Sequence, residues 1–147
     1  MKLLFDTSVW VDHLRHDALA PLLPLLRGRY QLSMEAIVAG ELLAGCRSRI
    51  ERRVVEGLIA PFRKAGRLVA VTADDFGDAG RGLSRLRESG ATLKNPGGAL
   101  LDAAIAVVSV RLDALLVSQN EGDFRKLATV LPLRFETLAE LAGRLAS

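Results

Sequence analysis

Near its start the chain reads Leu3-Leu4-Phe5-Asp6-Thr7-Ser8, an unbroken apolar run that ends in three polar residues. A short run without polar residues is typical of a strand buried on both faces of a parallel sheet. The hydroxyl of Thr7 or Ser8 suits the start of a helix. The segment therefore predicts a buried strand that ends at Asp6 and is followed by a helix.

Short apolar runs and helical segments alternate along the rest of the chain. Further strands are predicted at residues 30–33, 68–71, 115–117 and 133–135. Helices are predicted at residues 9–14, 18–27, 35–44, 47–64, 73–88, 100–111, 124–128 and 137–145. Strands that alternate with helices favour an α/β fold, a three-layer α/β/α sandwich with a central, mostly parallel sheet. In such sheets ligands bind beyond the carboxyl ends of the strands.

The composition indicates one packed domain over residues 1–147. Hydrophobic residues make up 50% of the chain and charged residues 25%, which allows a core and argues against disorder. Lys and Arg number 20 against 17 Asp and Glu, and the net charge of +3 permits a polyanionic partner without requiring one. The single cysteine, Cys46, excludes an intramolecular disulfide. With no signal peptide or membrane span evident, a cytoplasmic protein is expected.

Two acidic residues stand among apolar neighbours on predicted helices. Between residues 99 and 110 only Asp102 and Ser109 are polar, and a place in the first helical turn stabilises an acid by only about 0.3–1 kcal/mol. Glu41 shares a helix face with Ile37 and Val38. A carboxylate in apolar surroundings is costly unless it is paired or coordinated. Both acids therefore indicate a functional site, although Glu41 could instead form a buried salt bridge with an arginine.

Two further acids follow predicted strands. Asp6 ends the first strand, although it could simply cap the next helix. Asp123 lies in the polar turn after residues 115–117, where Glu121 is an alternative. If these acids meet at one rim of the sheet, they form an all-oxygen ligand set for a hard cation, Mg²⁺ or Mn²⁺, that can activate water against a phosphodiester. The predicted metal-binding and catalytic residues are then Asp6, Glu41, Asp102 and Asp123.

Zinc is a less suitable metal for this sequence. The two histidines, His13 and His16, lie together near the first helix and have no cysteine partner, as a zinc site would require. Both are expected to be surface residues.

Four segments resemble, in order, the motifs of the PIN-domain family of ribonucleases. They are residues 3–12 with Asp6, 37–45 with Glu41, 101–106 with Asp102, and 116–124 with Asp123. The fourth motif usually reads Thr-x-Asn-x-x-Asp-Phe, which favours Asp123 over Glu121. Two departures are Ser118 in place of the threonine and a loop at residues 94–98 that is longer than is typical.

The small size and the helical insertion between the second and third motifs resemble the VapC-type toxins of bacterial toxin–antitoxin pairs. This resemblance implies a metal-dependent endoribonuclease that is inhibited by a cognate antitoxin protein and forms a homodimer. Exposed basic residues could line an RNA path. The candidates are Arg47, Arg49, Arg52 and Arg53, with Arg63, Lys64 and Arg67 beyond them, and a weaker group of Arg81, Arg85 and Arg87.

Other functions fit the sequence less well. An aspartyl phosphotransferase of the haloacid-dehalogenase type needs a second aspartate two residues after the first, where this chain has Ser8. A response-regulator receiver needs its phosphoacceptor midway through the fold. A PIN-like module that binds RNA or protein without cutting would not need all four acids. A metal-dependent nuclease acting on DNA is the remaining alternative.

Overall fold

The computed structural model describes residues 1–147. Its five strands are β1 (Lys2–Phe5), β2 (Gln31–Glu35), β3 (Leu68–Val69), β4 (Ala114–Ser118) and β5 (Arg134–Thr137). Its eight α-helices are α1 (Thr7–His16), α2 (Leu23–Leu26), α3 (Ala36–Ala44), α4 (Arg49–Lys64), α5 (Ala73–Glu88), α6 (Ala99–Arg111), α7 (Glu121–Leu127) and α8 (Leu138–Leu145). A 3-10 turn, Pro96–Gly98, directly precedes α6. None of the helices combines the length and the apolar character needed to cross a membrane.

β1 lies at the centre of the sheet. The strand order is β3-β2-β1-β4-β5, and every neighbouring pair is parallel. Leu3 pairs with Leu32 on one side and with Leu115 on the other, and Leu3 and Leu4 are fully buried. The predicted α/β fold is confirmed, with a sheet that is parallel throughout.

The strand order places the two halves of the chain on opposite sides of β1. The chain moves outward through β2 to β3, then returns through α5 and α6 to β4 and moves outward the other way to β5. Because parallel crossovers are right-handed, the helices before β3 and those between β3 and β5 cover opposite faces. Accordingly, α3 packs against α1 and α4, whereas α5 packs along α6. The reversal opens a crevice beyond the carboxyl ends of β1 and β4, where sheets of this kind bind ligands.

Three differences between the predicted helices and the structure matter for the fold or the site. The helix expected at residues 18–27 is reduced to turns and the four-residue α2, because the prolines at positions 21 and 24 lack an N–H and fit only the first turn of a helix. The helix expected from residue 124 begins at Glu121, so Asp123 lies within α7 and not in the preceding turn. The helix expected from residue 35 begins at Ala36, which leaves Glu35 as the last residue of β2.

An ion pair joins α5 to α6. The Asp75 carboxylate accepts hydrogen bonds from Nε and Nη2 of Arg111, both at 2.9 Å, and Nη2 also donates to the carbonyl oxygen of Ala70 at 3.0 Å. Asp75 is buried and forms a capping box with Thr72. Burial raises the pKa of Asp75, but the hydrogen bonds from Arg111 and Thr72 outweigh burial and hold that pKa below its usual value. The pair thus fixes the packing of α6, the helix that carries Asp102.

We expect Arg111→Ala to lower the free energy of unfolding by about 2–3 kcal/mol, because it leaves the buried Asp75 carboxylate without its partner. The estimate is below that for a fully buried pair because the Arg111 side chain is 40% exposed. Urea unfolding at pH 7 measures the change. The matched control is Arg81→Ala, which removes the exposed ion pair between Arg81 and Asp78 within α5. This variant should lower the free energy of unfolding by less than about 0.5 kcal/mol. Equal losses in the two variants would contradict the role given to Arg111.

Candidate active site

β1 delivers Asp6 to the crevice. The Asp6 backbone N–H donates to the carbonyl oxygen of Val117 at 2.9 Å, so the pairing of β1 with β4 extends to this residue. The carboxylate is buried, and its Oδ2 accepts hydrogen bonds from Ser118 Oγ at 2.7 Å and Ser8 Oγ at 3.1 Å. Asp6 is the N-cap residue of α1, yet its side chain makes no capping hydrogen bond. The capping alternative is therefore wrong, and the two hydroxyls set the direction of this carboxylate.

The turn after β4 is built on the same two hydroxyls. Ser118 Oγ accepts a hydrogen bond from the Asn120 N–H at 2.9 Å, and Ser8 Oγ accepts one from the Gln119 N–H at 3.0 Å. The two hydroxyl oxygens lie 3.2 Å apart. Serine at position 118 thus retains the hydroxyl of the threonine that usually stands there, and this hydroxyl joins the turn to Asp6.

α3 brings Glu41 to the same crevice, against the start of α1. Thr7 Oγ1 donates a hydrogen bond of 2.7 Å to Glu41 Oε1, and the residue is half-buried. No arginine pairs with Glu41. The alternative of a buried salt bridge is wrong, because the partner of this carboxylate is the neutral hydroxyl of Thr7.

Asp102 lies in the first turn of α6 and faces the other acids. Its Oδ2 is 3.5 Å from Asn120 Nδ2, a long contact at the limit of a hydrogen bond. Burial, together with the negative charges of Asp6, Glu41 and Asp123, raises the pKa of Asp102 to about 7. The four carboxylates therefore share one electrostatic environment, in which each ionised group opposes the ionisation of Asp102.

Asp123 is the most firmly held of the acids. It is only 2% exposed, and its Oδ1 and Oδ2 accept hydrogen bonds from the backbone N–H groups of Lys94 at 2.7 Å and Asn95 at 3.0 Å. Glu121, the alternative in the same motif, is exposed and pairs with Arg125. The structure thus places Asp123 at the site and Glu121 at the surface.

The four acids offer only oxygen atoms as metal ligands, and no cationic side chain lies among them. None of the four acids forms an ion pair with a lysine, arginine or histidine. No three His, Cys, Asp or Glu side chains, however, are grouped closely enough to hold a metal ion directly. Mg²⁺ commonly keeps several waters and takes only one or two protein carboxylates. The residues therefore fit a hydrated divalent cation and not a site closed by protein ligands alone.

The histidines take no part in this arrangement. His16 is exposed and pairs with Asp12, as expected for a surface residue. His13 is half-buried, with its ring 6.1 Å from that of Trp10 and its Nδ1 accepting a hydrogen bond from the Leu19 N–H. The surface expectation is wrong for His13, since residues 17–20 fold back over the end of α1.

Glu35 is an acid that the sequence interpretation passed over. It ends β2 and is 1% exposed, with Oε1 3.4 Å from Ser109 Oγ and Oε2 without any hydrogen-bond partner. Burial raises the pKa of Glu35 well above its ordinary value, with a smaller contribution from the charge of Asp6. The available signal was its place after Met34, an acid directly following an apolar strand residue, as Asp6 follows Phe5.

The chain belongs to the PIN-domain family, whose model matches residues 3–130. Its fold is similar to that in a structure of VapBC-1 from nontypeable Haemophilus influenzae, with a TM-score of 0.69, 19% identity, and coverage of 93% of this chain and 98% of that chain. A second similar structure is that of VapBC2 from Rickettsia felis bound to a DNA fragment from its promoter. The TM-score is 0.70 at 20% identity, with coverage of 93% of this chain and 98% of that chain.

A third similar structure is VapBC-5 from Mycobacterium tuberculosis, described as a member of the VapBC family of toxin–antitoxin systems. Its TM-score is 0.59 at 20% identity, over 92% of this chain and 96% of that chain. Among curated proteins, none is significantly similar to this chain. The family predicted from the four motifs is confirmed, and the structural likeness extends the same fold over most of the chain.

We expect Glu35→Gln to stabilise the protein at neutral and alkaline pH. The pKa of Glu35 is raised in the folded state, so its contribution to stability is complete below the unfolded value, near 4.5, and is lost as pH rises through the folded value. Glutamine is neutral throughout, so the variant should gain about 1–3 kcal/mol over wild type at pH 8 and little at pH 4.5.

Urea unfolding of both proteins at the two pH values measures this difference. The control is Glu56→Gln, which makes the same substitution at an exposed position of α4 and should change the free energy of unfolding by less than about 0.5 kcal/mol. If the difference in stability between variant and wild type is the same at both pH values, the raised pKa of Glu35 is contradicted.

Proposed function

We propose that this chain, a single PIN-like domain, is an endoribonuclease that hydrolyses RNA phosphodiester bonds with Mg²⁺ or Mn²⁺. The proposal is carried by four carboxylates that lie around one crevice, directly after β1 and on α3, α6 and α7, and that have no cationic side-chain partner. The proposed metal-binding and catalytic residues are Asp6, Glu41, Asp102 and Asp123.

The neighbouring hydroxyls leave one oxygen of Asp6 and one oxygen of Glu41 available. Ser8 and Ser118 occupy Oδ2 of Asp6, and Thr7 occupies Oε1 of Glu41, so Oδ1 of Asp6 and Oε2 of Glu41 have no protein hydrogen-bond partner. A divalent cation, when bound, polarises a phosphodiester and lowers the pKa of a water nucleophile. The cation would also offset the repulsion that raises the pKa of Asp102.

A group of exposed arginines at the start of α4 supports a polyanionic substrate. The side chains of Arg47, Arg49, Arg52 and Arg53 are exposed around the start of α4 and take part in no ion pair with an acidic side chain. Arg15 and Glu41 line a groove of about 300 Å³ between α1, α3 and α4. Exposed arginines without an acidic partner can contact phosphates, and such contacts fix a nucleic acid without reading its sequence.

The similarity to VapBC structures supports a place for the chain in a toxin–antitoxin pair. In that role the chain is a cytoplasmic toxin, its partner is a cognate antitoxin protein that blocks the acidic crevice, and the toxin forms a homodimer. Size-exclusion chromatography with light scattering tests the homodimer, and a monomer at micromolar concentration would exclude it.

We expect Asp6→Asn and Asp102→Asn each to lower RNA cleavage by at least about 100-fold, because each removes a charged ligand of the proposed cation. Purified protein is incubated with structured and unstructured RNA, and with DNA of the same sequences, in Mg²⁺ or Mn²⁺ and in EDTA. Cleavage should require the metal and should occur on RNA in preference to DNA.

The matched control for these variants is Asp113→Asn. Asp113 lies beside the amino end of β4, remote from the crevice, and has a positive φ of 54° that asparagine also adopts readily. This variant should cleave as wild type does. An Asp6→Asn protein that still cleaves at the wild-type rate would refute the catalytic role proposed for Asp6. Preferential cleavage of DNA would show that the substrate is DNA and not RNA.

We expect Ser118→Ala to lower kcat by about 10-fold or more, because it removes the 2.7 Å hydrogen bond to Asp6 and the acceptor for the Asn120 N–H. Ser118→Thr retains the hydroxyl and should keep most of the activity. Steady-state cleavage kinetics, with melting temperatures to verify folding, distinguish the two variants. Equal losses in both would show that packing and not the hydroxyl matters at this position.

A further inference from the structure

α7 holds the loop that precedes α6 by two contacts one helical turn apart. Asp123 accepts hydrogen bonds from the consecutive backbone N–H groups of Lys94 and Asn95, one on each carboxylate oxygen. From the same helix, the Lys126 ammonium group donates to the carbonyl oxygen of Thr92. The segment 92–95 is therefore fixed to the acid cluster through its main chain.

This attachment fixes the main chain of an unpaired lysine, Lys94, beside Asp123. The amide nitrogen of Lys94 lies 2.7 Å from the carboxylate of Asp123, one of the four acids of the crevice. The Lys94 side chain is exposed and takes part in no ion pair. Its four-carbon stem is flexible and ends in a compact charge with three donors, which suits a phosphate in more than one position.

The acid cluster makes such a cation useful. A strand of RNA that approaches four carboxylates brings its own negative charge, and a divalent cation offsets only part of the combined repulsion. A lysine at the rim can contact a phosphate of the substrate without forming an ion pair with the carboxylates that would bind the cation. A loop without tertiary contacts samples many conformations, so a lysine on it would seldom lie at the rim. The hydrogen bonds from Lys94 and Asn95 to Asp123 restrict these conformations and keep Lys94 at the rim.

We propose that Lys94 binds a phosphate of the RNA at the rim of the crevice, and that Asp123 is the positioning residue that fixes the loop for this contact. The inference rests on the proposed function, since it presupposes an RNA substrate. It gives Asp123 a role in substrate binding beside its proposed role near the cation.

The first test measures RNA affinity. A fluorescein-labelled single-stranded RNA is titrated with protein in Mg²⁺, in the Asp102→Asn background so that the RNA stays intact, and binding is followed by fluorescence anisotropy. Lys94→Gln should raise Kd by about 3- to 10-fold and reduce the slope of log Kd against log salt by about 0.7, the loss of one phosphate contact. Lys94→Arg should restore most of the affinity.

The matched control is Lys2→Gln, which removes the same charge from the exposed amino end of β1. It should leave Kd within about twofold of the parent protein. If the parent protein binds RNA and Lys94→Gln has the same Kd as Lys2→Gln, the proposal for Lys94 is overturned while the nuclease proposal stands. If the parent protein binds no RNA, the proposed function fails and this inference fails with it.

The second test examines whether Asp123 acts through the loop. In the wild-type protein without RNA, the Lys94–Asn95 bond should resist the protease Lys-C, because the main chain on both sides is held by Asp123. Asp123→Asn should expose this bond, with melting temperature and circular dichroism verifying that the rest of the protein is folded. In the affinity assay, Lys94→Gln should then cause little further loss in an Asp123→Asn protein.

If Lys94→Gln raises Kd in the Asp123→Asn protein as much as it does in the presence of Asp123, the positioning role of Asp123 is overturned. Lys126→Gln provides a second variant that loosens the same segment without altering any acid of the crevice, because the one hydrogen bond of the Lys126 ammonium group goes to the carbonyl oxygen of Thr92. It should also increase cleavage by Lys-C after Lys94 and weaken RNA binding in the same direction. A Lys126→Gln protein with wild-type protection and affinity would contradict the inference.

Discussion

The parallel pairing of β1 with β4 is the interaction on which the site depends. It aligns Phe5 with Val117 and continues to the hydrogen bond between Asp6 N–H and the Val117 carbonyl oxygen, so the two strands end side by side. The next residue after each of these, Asp6 after Phe5 and Ser118 after Val117, is thereby brought into contact with the other: Ser118 Oγ lies 2.7 Å from Asp6 Oδ2, although 112 positions separate the two residues in sequence. A shift of one residue in this register would move every side chain of a strand to the opposite face and would break the contact.

The second constraint is the repulsion among the buried acids. The negative charges around Asp102 raise its pKa, and Glu35, buried at the end of β2, has a raised pKa and an unpaired oxygen. Such groups oppose folding when they are ionised, and a protein retains them at the cost of stability where they serve a site. The neutral hydroxyls of Thr7, Ser8 and Ser118 hold the carboxylates without neutralising them. This arrangement keeps the negative charge available for a cation.

Much of the fold could be predicted because it depends on local patterns. Residues 3–5 and 115–117 are unbroken apolar runs, and they form the central strands because only burial on both faces accommodates them. The helix expected at residues 18–27 failed because its leucines suggested helix while its two prolines prevented it. The burial of Glu35 was missed because it depends on β1 and α6, which lie far away in sequence.

The sequence by itself determined the order of the elements, the parallel sheet and the four acids at its rim, because each follows from a local run of residues or from a motif of fixed spacing. Only the tertiary structure decided the partners of those acids. Thr7 with Glu41, Ser118 with Asp6, and the amides of Lys94 and Asn95 with Asp123 are contacts between segments 28 to 112 residues apart. Pairwise contacts at such separation leave no periodic trace in the chain, since they arise from the strand order and the packing of helices on the two faces.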